Sequence, residues 1–295
     1  MKHISLFSGI GGIDLAAHWA GFTTVHLVEN NSFCTQVLEK NFPTVPIHKD
    51  IRDFDGNQYA GEIELISAGF PCQPHSIAGK RKASSDERNL WGEVVRVISE
   101  VRPRWFLGEN VQGLLTSEQG EFFPKVLNDL ESLGYSVGWC VYGAKDVGAV
   151  HRRARIFIIA YSKSYADGGY LLPELWSQLE TRVTEAVQPR KKRNTANTYS
   201  TRREEQWRPC TNEKEDFTFE RNIYQEIAGG DWRDWGISPL CTESRVRRKH
   251  DGIPYRLDRL RALGNTVVPQ QVFPILSEIA KISNLGHNQV SRCIK

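Results

Sequence analysis

The chain has 295 residues, of which 38 are lysine or arginine and 35 are aspartate or glutamate, so its formal net charge is only +3. This length allows one large domain with its own core plus a smaller one. The charge permits a nucleic-acid partner without requiring one, so local basic clusters must carry that argument. No apolar run reaches membrane-spanning length and the first apolar stretch is too short for a signal peptide, which predicts a cytoplasmic protein.

The cysteine pattern argues against cross-links and metal sites. Six cysteines, at positions 34, 72, 140, 210, 241 and 293, are scattered without a Cys-x-x-Cys pair. Structural zinc sites and disulfide frameworks need closer or more regular spacing. We therefore expect a reducing compartment, no bound metal and no membrane association.

Up to about residue 161, short apolar runs alternate with helix-length amphipathic segments, which is typical of βαβ units and a mostly parallel sheet. The predicted strands are 4–7, 25–28, 63–67, 105–107, 135–142 and 155–161, and the predicted helices are 13–19, 32–40, 90–101 and 122–133. A glycine-rich turn at 8–12 joins the first strand to the first helix. This arrangement predicts a nucleotide-type crossover at the start of the chain.

The glycine turn and the second strand point to a nucleoside cofactor. Glycines between a strand and a helix let a ligand approach the backbone, and the helix N-terminus offers free N–H groups. The turn lacks the full Gly-x-Gly-x-x-Gly spacing of a pyrophosphate-binding loop. Glu29, at the end of the second strand, is placed to hold the two hydroxyls of a ribose. Ribose binding without a phosphate clamp suits S-adenosylmethionine better than a dinucleotide.

Cys72 lies at a turn just after the third predicted strand. Ligands of open α/β sheets bind beyond the carboxyl ends of the strands, so a thiol there faces substrate rather than core. Lys80 and Arg81 follow within ten residues, and nearby cations lower the pKa of a thiol. A small buried filler is the alternative for any single cysteine. The flanking sequence favours a nucleophile.

Glu109 follows the strand 105–107, so it emerges at the same sheet edge as Cys72 if the two strands are parallel. A glutamate against apolar walls has a raised pKa and can donate a proton. A thiolate and an acid at one edge form a workable pair for attack on an electron-poor ring. A surface glutamate is the alternative for Glu109 taken alone.

The composition changes after Tyr161. Between positions 163 and 250 there are 16 lysines and arginines, 14 acidic residues and four of the eight tryptophans. Basic clusters interleaved with aromatics suit nucleic acid, because cations neutralise phosphates and rings stack on bases. A solvated polar insertion is the alternative. After Pro254 an amphipathic pattern returns, with a predicted helix over 270–282 that packs back on the first domain.

Five motifs occur in the order found in the DNA (cytosine-5) methyltransferase family, which the chain resembles. They are Phe-x-Gly-x-Gly-Gly at 7–12, Gly-Phe-Pro-Cys-Gln at 69–73, Glu-Asn-Val at 109–111, His-Arg-Arg-Ala-Arg at 151–155 and Gly-Asn-Thr-Val-Val-Pro at 264–269. The resemblance implies a Rossmann-like α/β fold of S-adenosylmethionine-dependent methyltransferases. It places a catalytic, cofactor-binding domain at 1–161 and 251–295 and a smaller target-recognition domain at 162–250.

The resemblance also implies a mechanism. Cys72 adds to carbon 6 of cytosine, Glu109 protonates ring N3, and Arg155, with Arg153 beside it, contacts the base oxygen O2. Carbon 5 then takes the methyl group and loses its proton as Cys72 leaves. Because the ring is stacked inside duplex DNA, it must first be flipped into the pocket.

The cofactor contacts and DNA contacts are implied in the same way. Phe7 stacks on the adenine of S-adenosylmethionine, Glu29 binds the ribose, and Asp50 accepts from the adenine amino group. The loop 76–88 closes over the flipped DNA. The other implied contacts are the pocket residues Gly9, Gly11, Gly12, Asn265 and Val267 and the DNA-binding residues Ser76, Lys80 and Arg81.

Two positions depart from the family pattern. His151 stands where a glutamine usually opens the arginine motif, and Ala154 replaces a common acidic residue. Both arginines of the motif remain, so we expect differences in packing rather than lost activity.

The leading hypothesis is a monomeric enzyme that methylates cytosine within a specific double-stranded DNA site, as in bacterial or phage restriction–modification and counter-defence. An RNA cytosine-5 methyltransferase would share the chemistry. A nicotinamide-dependent oxidoreductase would need a phosphate-binding loop, and a non-catalytic DNA-binding protein would not need Cys72, Glu109 and Arg155 together.

Overall fold

The computed structural model describes residues 1–71, 90–147, 149, 151–165 and 255–293. Cys72, the predicted closing loop 76–88 and all but the first four residues of the predicted target-recognition domain lie outside the described residues. The chain divides into one unit of Met1–Val187 with Lys249–Lys295 and a second of Gln188–Arg248, and every described residue belongs to the first. The domain boundaries at 161 and 251 stay a prediction.

A seven-stranded sheet forms the centre of the described fold. Its strands are β1 (Lys2–Leu6), β2 (Thr23–Val28), β3 (Ile47–His48), β4 (Leu65–Ala68), β5 (Trp105–Val111), β6 (Tyr135–Tyr142) and β7 (Arg155–Ser162). The spatial order is β3-β2-β1-β4-β5-β7-β6, with parallel pairing from β3 to β5 and antiparallel pairing of β7 with both its neighbours. The predicted α/β class with a mostly parallel sheet is confirmed.

Helices cover both faces of this sheet. Those in the described residues are α1 (Gly12–Trp19), α2 (Ser32–Asn41), α3 (Trp91–Val101), α4 (Phe122–Ser132), α5 (Arg256–Asn265) and α6 (Pro269–Cys293). Alternate residues of β5 join different cores: Phe106 packs with the apolar residues of α3 and α4, and Trp105 packs with those of α1 and α6. No helix of the described residues is long and apolar enough to cross a membrane.

The last helix returns to the first domain, as predicted. The rings of Trp19 on α1 and Phe273 on α6 lie 6.1 Å apart, edge to face. Trp105 Nε1 also donates to Ser283 Oγ at 3.1 Å in a buried contact. The C-terminal helix is therefore part of the same core as β5.

The predicted end of β5 was wrong. The apolar pattern stops at Leu107, but the strand continues through Val111 and Glu109 lies within it. The reason is tertiary, because Glu109 pairs with Phe157 and Val111 pairs with Arg155 on the antiparallel strand β7. An internal polar side chain breaks the apolar pattern without breaking the backbone ladder.

Candidate active site

Strand register aligns three of the predicted site positions with Gly69 of the Cys72 motif. Leu6 pairs with Val28 and with Ala68, and Ala68 pairs with Gly108. The next positions along these strands form one row at the carboxyl edge of the sheet: Glu29, Phe7, Gly69 and Glu109. A Cβ atom on Gly69 would lie 3.6 Å from Glu109 Oε2 and 3.7 Å from Phe7 O. The predicted cofactor side and the predicted acid are therefore neighbours.

Phe7 begins the glycine turn in an unusual conformation. Its φ of +56° lies in the left-handed region, which bulky residues rarely adopt. Hydrogen bonds on the next residue support the turn, since Ser8 N donates to Val28 O at 3.1 Å and Gly11 N donates to Ser8 O at 3.0 Å. Backbone outliers that the surrounding structure maintains cluster at ligand sites. The stacking of Phe7 on adenine stays a prediction.

The three glycines of the turn have different surroundings. A Cβ atom on Gly9 would meet nothing within 4 Å, so the backbone there is open to a ligand. A Cβ on Gly11 would lie 2.6 Å from the Phe42 ring, and one on Gly12 would lie 2.6 Å from Val267 O. Gly11 and Gly12 are thus required for close packing, while their contact with a cofactor stays a prediction.

Glu29 is buried and tied to the backbone through both oxygens. Gly9 N donates to its Oε2 at 2.7 Å, and Asn31 N donates to its Oε1 at 2.8 Å. Each carboxylate oxygen can accept a second hydrogen bond. The geometry therefore fits the predicted ribose contact while it also joins the glycine turn to the start of α2.

Glu109 is a buried carboxylate paired with an arginine. The residue is 7% exposed, and Arg155 Nε lies 2.9 Å from Oε1 as an ion pair. Burial raises the pKa of Glu109 to about 7, against the opposing effects of Arg155 and Arg153. The raised pKa that the sequence predicts is confirmed.

Arg153 joins the arginine motif to the C-terminal segment. Its Nη2 donates to Gly264 O at 2.7 Å and also to Thr266 O, so the guanidinium bonds the carbonyls on both sides of Asn265. Gln271, fully buried on α6, donates from Nε2 to Arg153 O at 3.0 Å. Since Val267 O packs on Gly12, this segment closes against the glycine turn. A contact of Arg153 with a base stays a prediction.

The sequence did not predict the contacts of two buried polar side chains, Asn110 and Gln271. Buried Asn110 donates from Nδ2 to Phe70 O at 2.9 Å and so holds the chain two residues before Cys72. Gln271 ties α6 to the arginine motif. A polar residue inside an apolar strand or helix is the signal that would have found both, but it does not name their partners.

Some of the remaining predicted site residues lie within the described residues, and the others lie outside them. Asp50 follows β3, and its Oδ1 accepts from Arg52 N at 3.0 Å, which orients the carboxylate. His151 and Ala154 precede β7, and Ala154 O accepts from Arg155 Nη1 at 2.9 Å. Outside the described residues lie Cys72, Ser76, Lys80 and Arg81. Within the described parts, no three His, Cys, Asp or Glu residues are grouped to hold a metal ion.

The sheet order and the row of side chains at its carboxyl edge define an α/β protein with a candidate ligand site at the ends of its parallel strands. Residues 1–259 match the family described as C-5 cytosine-specific DNA methylase, so the chain belongs to that family. The family resemblance found in the sequence is confirmed.

Individual relatives agree with this assignment. The chain is 37% identical over 175 residues to Type II methyltransferase M.BsuFI of Bacillus subtilis, covering 59% of this chain and 42% of the relative. It is 40% identical over 162 residues to Type II methyltransferase M.NgoBI of Neisseria gonorrhoeae, covering 55% and 50%. The chain thus spans about half the length of these relatives.

A solved structure supports the fold. The S. pombe Dnmt2 methyltransferase gives a TM-score of 0.60 at 18% identity, covering 96% of this chain and 99% of that one.

Proposed function

We propose that this protein transfers a methyl group from S-adenosylmethionine to carbon 5 of a flipped cytosine in a specific duplex DNA site, through a covalent adduct of Cys72. The observation that carries the proposal is Glu109, which is buried, has a pKa raised to about 7, and shares one strand-end row with Phe7 and Glu29. Gly69 in the same row is three residues before Cys72. Family membership supports the reaction class.

The residues at the ends of β1 and β2 fit an adenosyl cofactor. The backbone is open at Gly9, and Glu29 keeps acceptor capacity on both oxygens. When bound, S-adenosylmethionine would supply an electrophilic methyl group. Glu29 would hold the ribose hydroxyls, Phe7 would stack on the adenine, and Asp50 would accept from its amino group.

Cys72, Glu109 and Arg155 would carry out the covalent chemistry on the cytosine ring. The Cys72 thiolate forms a bond to carbon 6, and the electron pair displaced toward carbon 5 is stabilised as Glu109 gives its proton to N3. Arg155 holds the base oxygen O2 and neutralises the Glu109 carboxylate that results. Carbon 5 would then take the methyl group as the bond from that methyl to the sulfonium sulfur breaks, with the electron pair of that bond kept by the sulfur as a thioether, and would lose its own proton to a base. The carbon–sulfur bond breaks, Cys72 returns as a thiolate, and N3 returns its proton to Glu109.

DNA recognition would fall to residues outside this site. The stretch 162–250 combines basic clusters with four tryptophans, which suits phosphate contacts and base stacking. In the loop 76–88, Ser76, Lys80 and Arg81 would meet the DNA backbone as the loop closes. We propose that 162–250 reads the target sequence, while 1–161 and 251–295 perform the reaction.

The test is transfer of labelled methyl from S-adenosylmethionine to unmethylated duplex DNA, followed by bisulfite sequencing. Label confined to cytosines in one short motif supports the proposal. Label on RNA but not on DNA would overturn the substrate, and label on neither would overturn the activity.

The nucleophile is tested by C72S with C34S as the matched cysteine control. C72S should abolish transfer while cofactor binding and DNA binding persist, and C34S should retain transfer because Cys34 is buried in α2. Transfer by C72S at the wild-type rate would rule out the covalent step.

A further inference from the structure

One arginine on α3 holds a backbone turn at the end of β3. Arg96 Nη2 donates to Ile51 O at 2.6 Å, and its Nη1 donates to Phe54 O at 2.9 Å. The same guanidinium bonds two carboxylates of its own helix, Glu93 through Nε at 2.7 Å and Glu100 through Nη1 at 2.7 Å. The charge on these groups makes such bonds shorter and stronger than neutral ones.

Glu100 extends the contact to the end of the turn. Gly56 N donates to Glu100 Oε2 at 2.8 Å. A Cβ atom on Gly56 would lie 2.8 Å from the Val101 side chain, so the chain passes α3 too closely for a larger residue. Ile51 and Phe54 are both buried in the core beneath. The turn 51–56 is thus attached to α3 through polar and apolar contacts together.

Asp50 stands immediately before this turn and is hydrogen-bonded to it through both its side chain and its carbonyl. Its Oδ1 accepts from Arg52 N at 3.0 Å, and its carbonyl accepts from Asp53 N at 3.1 Å. The guanidinium is a rigid planar fork that can bond two carbonyls at once, whereas a lysine presents a single point charge. The direction of the Asp50 carboxylate therefore depends on where Arg96 holds the carbonyls.

We propose that Arg96 is a positioning residue for the nucleoside half of the cofactor. By holding Ile51 O and Phe54 O it aims Asp50 at the adenine amino group, and it thereby sets the preference of the pocket for an adenosyl ligand. This role rests on the proposed function, because the contact of Asp50 with adenine belongs to it.

The experiment measures binding of S-adenosylhomocysteine and S-inosylhomocysteine to the full chain by calorimetry. The inosyl ligand carries a carbonyl oxygen where adenine carries its amino group. Two acceptors, this oxygen and the Asp50 carboxylate, would then face each other without a proton between them. We expect wild-type protein to prefer the adenosyl ligand by about tenfold or more. In R96M the adenosyl affinity should fall about tenfold, and the preference should shrink to about threefold or less.

Two further variants make the result decisive. E93Q weakens a contact of Arg96 within α3 but leaves its bonds to the turn, so both affinities should match wild type. In R96K, the adenosyl affinity and the preference over the inosyl ligand should both lie between those of wild type and R96M. If R96M fails to fold, the R96K preference tests the positioning role in its place. For methyl transfer, R96M should raise KM for S-adenosylmethionine and leave kcat nearly unchanged.

The outcomes separate the two proposals. One outcome is that R96M or R96K binds both ligands more weakly yet keeps the wild-type preference for the adenosyl ligand. Arg96 would then give only structural support to the pocket, and the positioning role would be overturned. A wild-type protein that binds neither ligand overturns the proposed function and, with it, the role of Arg96.

Discussion

Two buried glutamates at the same sheet edge are held in opposite ways. Glu29, in the parallel half of the sheet, accepts two backbone N–H groups at 2.7 and 2.8 Å. Glu109, where β5 meets antiparallel β7, faces the Arg155 side chain and has a pKa raised by burial to about 7. Backbone N–H donors hold the Glu29 carboxylate in one orientation, whereas burial favours the protonated form of Glu109. The two carboxylates thus differ in their partners, and the proposed roles of Glu29 as a ligand anchor and of Glu109 as an acid rest on that difference.

The strongest test of this contrast is E109Q. Glutamine keeps the shape of the side chain but has no carboxylic acid proton, so kcat for methyl transfer should fall by about 100- to 10,000-fold. Affinity for S-adenosylhomocysteine should match wild type, because Glu109 lies outside the predicted cofactor contacts. Steady-state rates and calorimetry measure both, with E121Q at an exposed position as control. Weaker cofactor binding with an unchanged kcat would reverse the assignment.

The same contrast predicts a pH dependence. Glu109 must carry its proton to act as an acid, and its raised pKa means that this form dominates below pH of about 7. The proton-donating fraction therefore falls as pH rises through about 7, and the rate attributable to it should fall with it. Rates measured from pH 6 to 9 should lose this decline in E109Q. An identical decline in both proteins would assign it to another group.

E29Q should give the complementary result. One amide –NH2 would face a backbone N–H of Gly9 or Asn31, so one hydrogen bond is lost and a donor opposes a donor. Affinity for S-adenosylhomocysteine should fall by about 10- to 100-fold, while kcat at saturating cofactor stays within about threefold of wild type. A large loss of kcat without loss of affinity would place Glu29 in the chemistry instead.

A smaller effect tests how the C-terminal segment closes the glycine turn. In G12A the added methyl would lie 2.6 Å from Val267 O and 2.7 Å from Thr266 Oγ1, so we expect a loss of about 1–3 kcal/mol in the free energy of unfolding. G92A is the matched control on α3, where a Cβ meets nothing within 4 Å. It should stabilise the protein by about 0.5–1 kcal/mol. Urea unfolding measures both, and equal effects would contradict the packing.

A pH-dependent effect concerns a third buried carboxylate, Asp14 on α1, which accepts a hydrogen bond from Ser5 Oγ of β1 at 3.1 Å. Burial raises its pKa to about 7 and lowers the pKa of His3 to about 3, with His3 Nδ1 and Asp14 Oδ1 4.0 Å apart. Both groups are therefore neutral between these values. As pH rises, Asp14 costs stability from 3.8 to about 7, while His3 adds stability from about 3 to 6.5.

D14N removes the loss of folding stability that Asp14 causes as pH rises, and it leaves the gain caused by His3. Between pH 4 and 6.5 its free energy of unfolding should rise with pH, relative to wild type, by up to about 1.4 kcal/mol per pH unit. Urea unfolding at several pH values measures the difference. A difference that stays constant with pH would mean that Asp14 is ionised in the folded protein.

The sequence alone was sufficient for the fold class, the glycine turn and the family. Apolar alternation and glycine placement are local patterns, so they predict strands and crossovers without knowledge of distant partners. The order of five short motifs added the predicted acid Glu109 and the predicted nucleophile Cys72. The raised pKa of Glu109 was expected from its apolar setting, and burial in the fold bears it out.

Only the tertiary structure decided how these residues are held. β5 runs through Glu109 because β7 pairs with it, and Arg153 reaches the carbonyls of Gly264 and Thr266 across more than a hundred positions of chain. Arg96 meets Ile51 from 45 positions away. Such side-chain contacts leave no periodic signal in one sequence, because an arginine that bonds a distant carbonyl has the same local pattern as one that faces solvent.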